Sequence, residues 1–93
     1  MALQARLTIT GRVQGVGYRG WAMVTGQRLG LAGWVRNRRD GAVEALLVGD
    51  EAAVGKMIEA CRRGPSFARV DEIDVDPVDL DILPEGFTRL PTV

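Results

Sequence analysis

The sequence predicts an α+β fold whose elements follow the order β-α-β-β-α-β. Four short stretches have the composition or alternation of strands, and two longer ones carry apolar residues at helical spacing. Glycine-containing turns separate these stretches. Since 93 residues suffice for one domain, we expect a single domain over residues 1–93, with a core at about 5–76 and a tail or edge segment over 77–93.

The first four elements are a strand, a helix and a hairpin. The first strand is indicated by apolar residues that alternate with polar ones, namely Ala5, Leu7 and Ile9. From Tyr18 to Leu29 the apolar residues fit one buried face of a helix, and Gly30 is suited to a left-handed C-cap. Strands are predicted over residues 31–38 and 42–49, joined by the hairpin signal Asp40-Gly41.

A second helix and a fourth strand complete the order. Asp50 is suited to cap the helix and Gly64-Pro65 to end it. The predicted buried face of this helix consists of Ala53, Val54, Met57, Ile58 and Cys61. The strand contains Val70, Ile73 and Val75. Joined by right-handed crossovers, the elements predict a four-stranded antiparallel sheet with both helices on one face, the ferredoxin-like arrangement.

Composition excludes several classes of function. The chain has 46% hydrophobic and 26% charged residues, as globular proteins do, and no run of roughly 18 apolar residues, so no membrane span is predicted. The start of the chain lacks a signal-peptide pattern and the single cysteine fits a reducing compartment, so a cytoplasmic protein is expected. With no histidine and one cysteine, a zinc cluster and Ser-His-Asp or Cys-His catalysis are excluded.

A glycine-rich stretch between the first strand and the first helix is typical of an anion site. It reads GRVQGVGYR, from Gly11 to Arg19. Its glycines allow a tight turn, and the following helix adds backbone N–H groups and the positive end of its dipole. A cation is disfavoured there unless an anion binds, and Arg19 can hold phosphate through two parallel hydrogen bonds. A plain connecting turn is the alternative. Residues 1–39 contain seven arginines and no acidic residue, which strengthens the anion hypothesis.

A second stretch, GWVRN from Gly33 to Asn37, precedes the predicted hairpin turn. The Asn37 amide both donates and accepts hydrogen bonds, so it can orient a water molecule, although it can also merely close a turn. Trp34 is better explained by packing than by ligand stacking. Together with Asp40-Gly41, the two stretches closely resemble the acylphosphatase family over residues 5 to about 76, in the family's order and spacing.

This resemblance implies a hydrolase that cleaves the carboxyl–phosphate bond of small acyl phosphates without a metal or other cofactor. By position, Arg19 matches the family's phosphate-binding arginine and Asn37 its water-positioning asparagine. The backbone amides of the cradle would be those of Gln14, Gly15, Val16, Gly17, Tyr18 and Arg19. Tyr18 replaces the phenylalanine more often seen before the arginine. Nothing in these stretches selects among acyl portions such as acetyl, carbamoyl or 3-phosphoglyceroyl.

Two other functions share this fold. An RNA-binding module would display aromatic residues on its central strands, and the first and third predicted strands have none, so no nucleic-acid partner is expected. A phosphate- or acyl-phosphate-binding domain without turnover is the stronger alternative. Hydrolysis of a simple acyl phosphate with and without EDTA distinguishes that domain from an enzyme. A monomer is expected in either case.

Overall fold

The computed structural model describes residues 2–93, so Met1, the first residue of the predicted domain, lies outside the described part. The elements are β1 (Ala2–Arg12), α1 (Tyr18–Arg28), β2 (Ala32–Asn37), β3 (Val43–Asp50), α2 (Glu51–Arg63), β4 (Arg69–Pro77) and β5 (Phe87–Arg89). The predicted order β-α-β-β-α-β is confirmed for the first six. Within residues 2–93, no helix is long and apolar enough to cross a membrane.

The strands form one sheet in the order β4-β1-β3-β2-β5. The pairs β1–β3, β1–β4 and β2–β3 are antiparallel, as predicted, whereas β5 runs parallel to β2. The prediction of four strands and a purely antiparallel sheet is therefore corrected to a mixed sheet of five. The predicted ferredoxin-like packing is confirmed, with both helices on the sheet.

The core lies between the helices and one face of the sheet. Fully buried sheet residues on that face include Leu7, Ile9, Val35, Val43 and Leu47. Helix α2 contributes the predicted face, with Val54, Met57 and Cys61 fully buried. Burial of each such side chain contributes roughly 1.5–3 kcal/mol before the entropy cost of folding. The core therefore holds both helices against one face of the sheet.

The predicted turns and caps are present. The Asp50 side chain accepts a hydrogen bond from Ala52 N at 3.1 Å and caps α2. Arg38 N donates to Ala42 O at 2.8 Å across the β2–β3 hairpin. Gly30 has left-handed backbone, and the next residue, Leu31, donates its N–H to Gly26 O at 3.0 Å. This hydrogen bond closes the C-terminus of α1. These turns fix where β2 begins and ends.

Strand β5 is attached through one aromatic residue. Phe87 is 2% exposed, and a Cβ built on Gly26 of α1 would lie 2.9 Å from its ring. Gln27 Nε2 of the same helix donates to Phe87 O at 3.0 Å. Glycine in α1 thus lets a C-terminal ring approach the helix backbone, and β5 completes the edge of the sheet beside β2.

Candidate active site

The two motifs meet in a hollow of about 90 Å³ at the N-terminus of α1. Its lining consists of Val13, Gln14, Gly15, Gly17, Tyr18, Arg19, Gly20, Asn37 and Arg89. The structure therefore brings Arg19 and Asn37 to one small space. Of the predicted cradle residues, only Val16 does not line the hollow; it packs against the core. The hollow is large enough for several water molecules or a small polar group.

The cradle loop depends on two glycines with left-handed backbone. Gly15 has φ of 73° and Gly17 has φ of 80°, and a Cβ on either would meet nothing within 4 Å. The requirement for glycine is therefore conformational, since other residues enter this region only at a cost of about 1–2 kcal/mol. Gly17 is also the N-cap of α1, and no side chain caps the helix. The first N–H groups of α1 consequently remain available to an anion.

The charge at this helix end is positive. The first turn of α1 contains no acidic residue, and Arg19 is half-buried. Among residues 2–93, Arg19 has no ion-pair partner. A half-buried guanidinium at the positive end of a helix dipole is unfavourable by itself. A bound phosphoryl group would convert this repulsion into charge-assisted hydrogen bonds.

Asn37 ends β2 on the helix-facing side of the sheet, two residues after the buried Val35. Its Oδ1 atom is buried and has no hydrogen-bond partner within the described chain. An unsatisfied buried polar atom costs about 1–3 kcal/mol. Asn37 therefore does not simply close a turn, and its amide can interact with a water or substrate atom.

Gln14 has a role that sequence reasoning missed. Its Nε2 donates to Arg38 O at 2.7 Å and to Ala42 O at 2.9 Å. One side chain thus joins the cradle loop to the hairpin that immediately follows Asn37. The contact spans 24 and 28 residues of sequence, so no local pattern could have indicated it. It sets the relative position of the two halves of the site.

The hydroxyl of Tyr18 lies outside the site chemistry. The ring is 1% exposed, and its OH donates to Cys61 O of α2 at 2.7 Å. Burial raises the pKa of Tyr18, and the contact with Cys61 adds to that shift. Burial also raises the pKa of the Cys61 thiol to about 11. Both groups are therefore protonated and unreactive at neutral pH, and they tie α1 to α2.

Arg89 is the second residue that the sequence interpretation missed. It lies in β5 opposite Val35 of β2 and lines the hollow with Arg19. Among the described residues that line the hollow none is acidic, so both of the charged side chains there, Arg19 and Arg89, are cationic. In the described part of the chain, no three His, Cys, Asp or Glu residues lie close enough together to hold a metal ion.

A larger pocket, of about 570 Å³, also contains arginines. We call it the arginine pocket; it is lined by Arg6, Arg36, Arg38, Arg39, Asp40, Glu44 and Val93. Arg36 Nε lies 2.7 Å from Glu44 Oε1, and Arg38 lies 3.2 Å from Asp40 Oδ2. Arg36 also stacks on the Trp34 ring at 4.5 Å. Trp34 is half-buried, which agrees with its predicted role in packing.

Comparison with known proteins gives a consistent family. Residues 5–88 match the family described as acylphosphatase. An acylphosphatase of Nitrobacter winogradskyi is 54% identical over 93 residues, covering 95% of this chain and 94% of the relative. One from Rhodospirillum rubrum is 58% identical over 85 residues, covering 91% and 92%. The crystal structure of acylphosphatase from Bacillus subtilis superposes with a TM-score of 0.90 at 38% identity, covering 97% of this chain and 99% of that one.

Proposed function

The chain belongs to the acylphosphatase family and is a hydrolase of acyl phosphates, and from this premise we propose how its hollow performs the reaction. The phosphoryl group is held by the cradle amides of residues 14–19 and by the Arg19 guanidinium. Asn37 positions the attacking water. The observation that carries this proposal is that Arg19, which has no ion-pair partner among residues 2–93, and Asn37 line the same small hollow beside the cradle loop.

The cradle and Arg19 supply charge stabilisation. Phosphoryl transfer proceeds through a loose transition state whose charge is spread over the equatorial phosphate oxygens. Backbone N–H groups of Gly15 to Arg19 and the forked guanidinium are donors suited to those oxygens. They are held in place before the reaction by the left-handed glycines and by the first turn of α1. Little reorganisation is then needed as charge develops.

Asn37 aligns the nucleophile. Its side-chain amide hydrogen-bonds a water molecule, which attacks phosphorus opposite the bridging oxygen. One proton of this water passes to a phosphoryl oxygen, so that the products are a carboxylate and dihydrogen phosphate. The new bond forms between the water oxygen and phosphorus, while the bond from phosphorus to the bridging oxygen breaks. The electron pair leaves with the carboxylate. Gln14 holds the Asn37 end of β2 at a fixed distance from the cradle through its bonds to Arg38 O and Ala42 O.

The leaving group explains why the hollow needs no proton donor. A carboxylic acid has a pKa of roughly 4, so the carboxylate departs unprotonated at neutral pH. No carboxyl or imidazole group lines the hollow within residues 2–93. The site therefore contributes to catalysis by aligning the water with the phosphoryl group and by stabilising the charge of the transition state.

The test is hydrolysis of acetyl phosphate and of an aryl acyl phosphate, each with and without EDTA. We expect turnover that EDTA does not change, since the proposed mechanism uses no metal. Turnover abolished by EDTA and restored by a divalent ion would contradict it. Binding of inorganic phosphate with no hydrolysis would identify the non-catalytic domain instead.

The remaining expectations are proposals with simple tests. We propose that the chain acts as one catalytic unit and as a monomer, so light scattering should give the mass of one 10.1 kDa chain. We also propose a cytoplasmic location, checked by fractionation. No shift of RNA or DNA mobility is expected at physiological salt, because the chain has no net charge and no aromatic residue in β1 or β3.

A further inference from the structure

The C-terminal strand brings a second guanidinium to the hollow at the N-terminus of α1. Arg89 is paired with Val35 of β2 and lines the hollow beside Asn37. Residues before and after Arg89 hold it in place. Phe87, two residues earlier, is buried in the core, and Leu90, the next residue, donates its backbone N–H to Val35 O at 2.9 Å. Neither sequence motif contains Arg89, so its contribution is separate from that of the phosphate cradle.

Arg19 and Arg89 differ in depth. Arg19 is half-buried, whereas Arg89 is exposed. The hollow is small, at about 90 Å³, and opens to solvent. When the phosphoryl group occupies the cradle, the acyl portion extends away from the cradle amides, and the exposed Arg89 is the lining cation outside the cradle loop.

The charge of Arg89 is available to a ligand. Among residues 2–93 no carboxylate pairs with it, and no acidic residue lines the hollow. Arginines of the arginine pocket are different, because Arg36 and Arg38 are paired with Glu44 and Asp40. An unpaired guanidinium beside an anion site raises the local concentration of anionic ligands and favours those with two charges.

We propose that Arg89 selects, among acyl phosphates, those whose acyl portion carries a second anionic group such as a carboxylate or a phosphate. This inference rests on the proposed function, because it concerns the substrate of the same hollow. The interaction is at an exposed position, so the preference should be about three- to tenfold in kcat/KM. It should reside mainly in KM and decrease as salt concentration rises.

The experiment compares butyryl phosphate with succinyl phosphate, which have the same chain length and differ by a methyl group in place of a carboxylate. We expect Arg89→Gln to lower kcat/KM for succinyl phosphate three- to tenfold and to leave butyryl phosphate within about twofold. The matched control is Arg28→Gln. Arg28 is also an exposed arginine, but it lies in the last turn of α1, at the opposite end from the hollow. The Arg28→Gln variant should leave kcat/KM at the wild-type value for both substrates.

Inhibition by inorganic phosphate provides a second readout and should be the same in Arg89→Gln as in wild type. Equal losses for both substrates, or weaker phosphate inhibition, would place Arg89 on the shared phosphate and overturn the inference. The inference would also be overturned if the ratio of kcat/KM for succinyl phosphate to kcat/KM for butyryl phosphate were the same in Arg89→Gln as in wild type. The Arg89→Lys variant keeps the positive charge, so it should retain most of the preference for succinyl phosphate over butyryl phosphate. If the lysine variant lost this preference, selection by charge would be contradicted. Failure of wild type to hydrolyse either substrate would overturn the proposed function, and the inference with it.

Discussion

The two arginine-lined spaces of this molecule differ in size and in the state of their charges. The arginine pocket has about 570 Å³, and its Arg36 and Arg38 are paired with Glu44 and Asp40. The hollow at the N-terminus of α1 has about 90 Å³, and none of its lining residues within the described range 2–93 is a carboxylate. A search by volume or by number of arginines would favour the larger pocket.

The two spaces differ in whether their polar groups already have partners within the protein. Glu44 is 7% exposed and neutralises Arg36, with Arg6 at 3.9 Å, so the arginine pocket already contains its own anion. Arg19 and Asn37 line the hollow; within residues 2–93 Arg19 has no ion-pair partner, and the buried Oδ1 atom of Asn37 has no hydrogen-bond partner. Such groups are costly unless a ligand completes them.

The largest expected effect is that of Arg19→Ala. We expect kcat/KM for acetyl phosphate to fall roughly a thousandfold or more, because the main cationic donor to the transferring phosphoryl group is lost. Arg19→Lys keeps the charge but not the forked geometry, and should bind inorganic phosphate more weakly than wild type. Steady-state kinetics and calorimetry measure both. Wild-type phosphate affinity in the lysine variant would contradict the bidentate contact.

Asn37→Ala should lower kcat about a hundred- to a thousandfold, as expected for loss of one positioned polar group. Inhibition by inorganic phosphate should change little, because the cradle and Arg19 remain. Circular dichroism establishes that the fold persists. If kcat stays at the wild-type value in a folded variant, Asn37 does not position the water.

Gln14→Met tests the connection between the two halves of the site. It keeps the length of the side chain but removes the donor to Arg38 O and Ala42 O. We expect about 1–3 kcal/mol less stability in urea unfolding and roughly tenfold lower kcat, since Asn37 is no longer held against the cradle.

The matched control is Gln27→Met. Gln27 Nε2 also donates to a backbone carbonyl, that of Phe87, but away from the hollow. This variant should lose stability while kcat stays within about twofold of wild type. Equal kcat losses in the two glutamine variants would mean that stability alone accounts for the effect of Gln14.

Arg36→Met should have the smallest effect on activity. It removes the 2.7 Å contact of a nearly buried carboxylate, that of Glu44, and leaves only Arg6 at 3.9 Å, so we expect roughly 1–3 kcal/mol lower stability. At a temperature where the variant is folded, its rate of acetyl phosphate hydrolysis should stay within about twofold of the wild-type rate. A tenfold loss of activity there would show that the arginine pocket, and not only the hollow, takes part in turnover.

Most of the fold was predictable because its signals are local. The alternation of Ala5, Leu7 and Ile9 and the capping residue Asp50 each act within a few positions, and the structure confirms both. The same holds for the cradle loop, whose glycines at 15 and 17 specify left-handed backbone. The placement of Arg19 beside Asn37 then follows from the topology of the elements.

What the sequence could not indicate depends on distant contacts. Strand β5 has three residues and one buried side chain, Phe87, so it carries no periodic pattern, and its parallel pairing with β2 is set by packing on α1. Arg89 was missed for the same reason. The contacts of the Gln14 side chain and of the Tyr18 hydroxyl join segments 24 or more residues apart.

The most direct test of the account is an NMR titration of the wild-type protein with inorganic phosphate. We expect the largest shifts at the backbone amides of residues 15–19 and at the side-chain amide of Asn37, with saturation at one phosphate per chain. Shifts confined to residues of the arginine pocket, with those of the cradle unchanged, would contradict the claim that the hollow at the N-terminus of α1 holds the phosphoryl group.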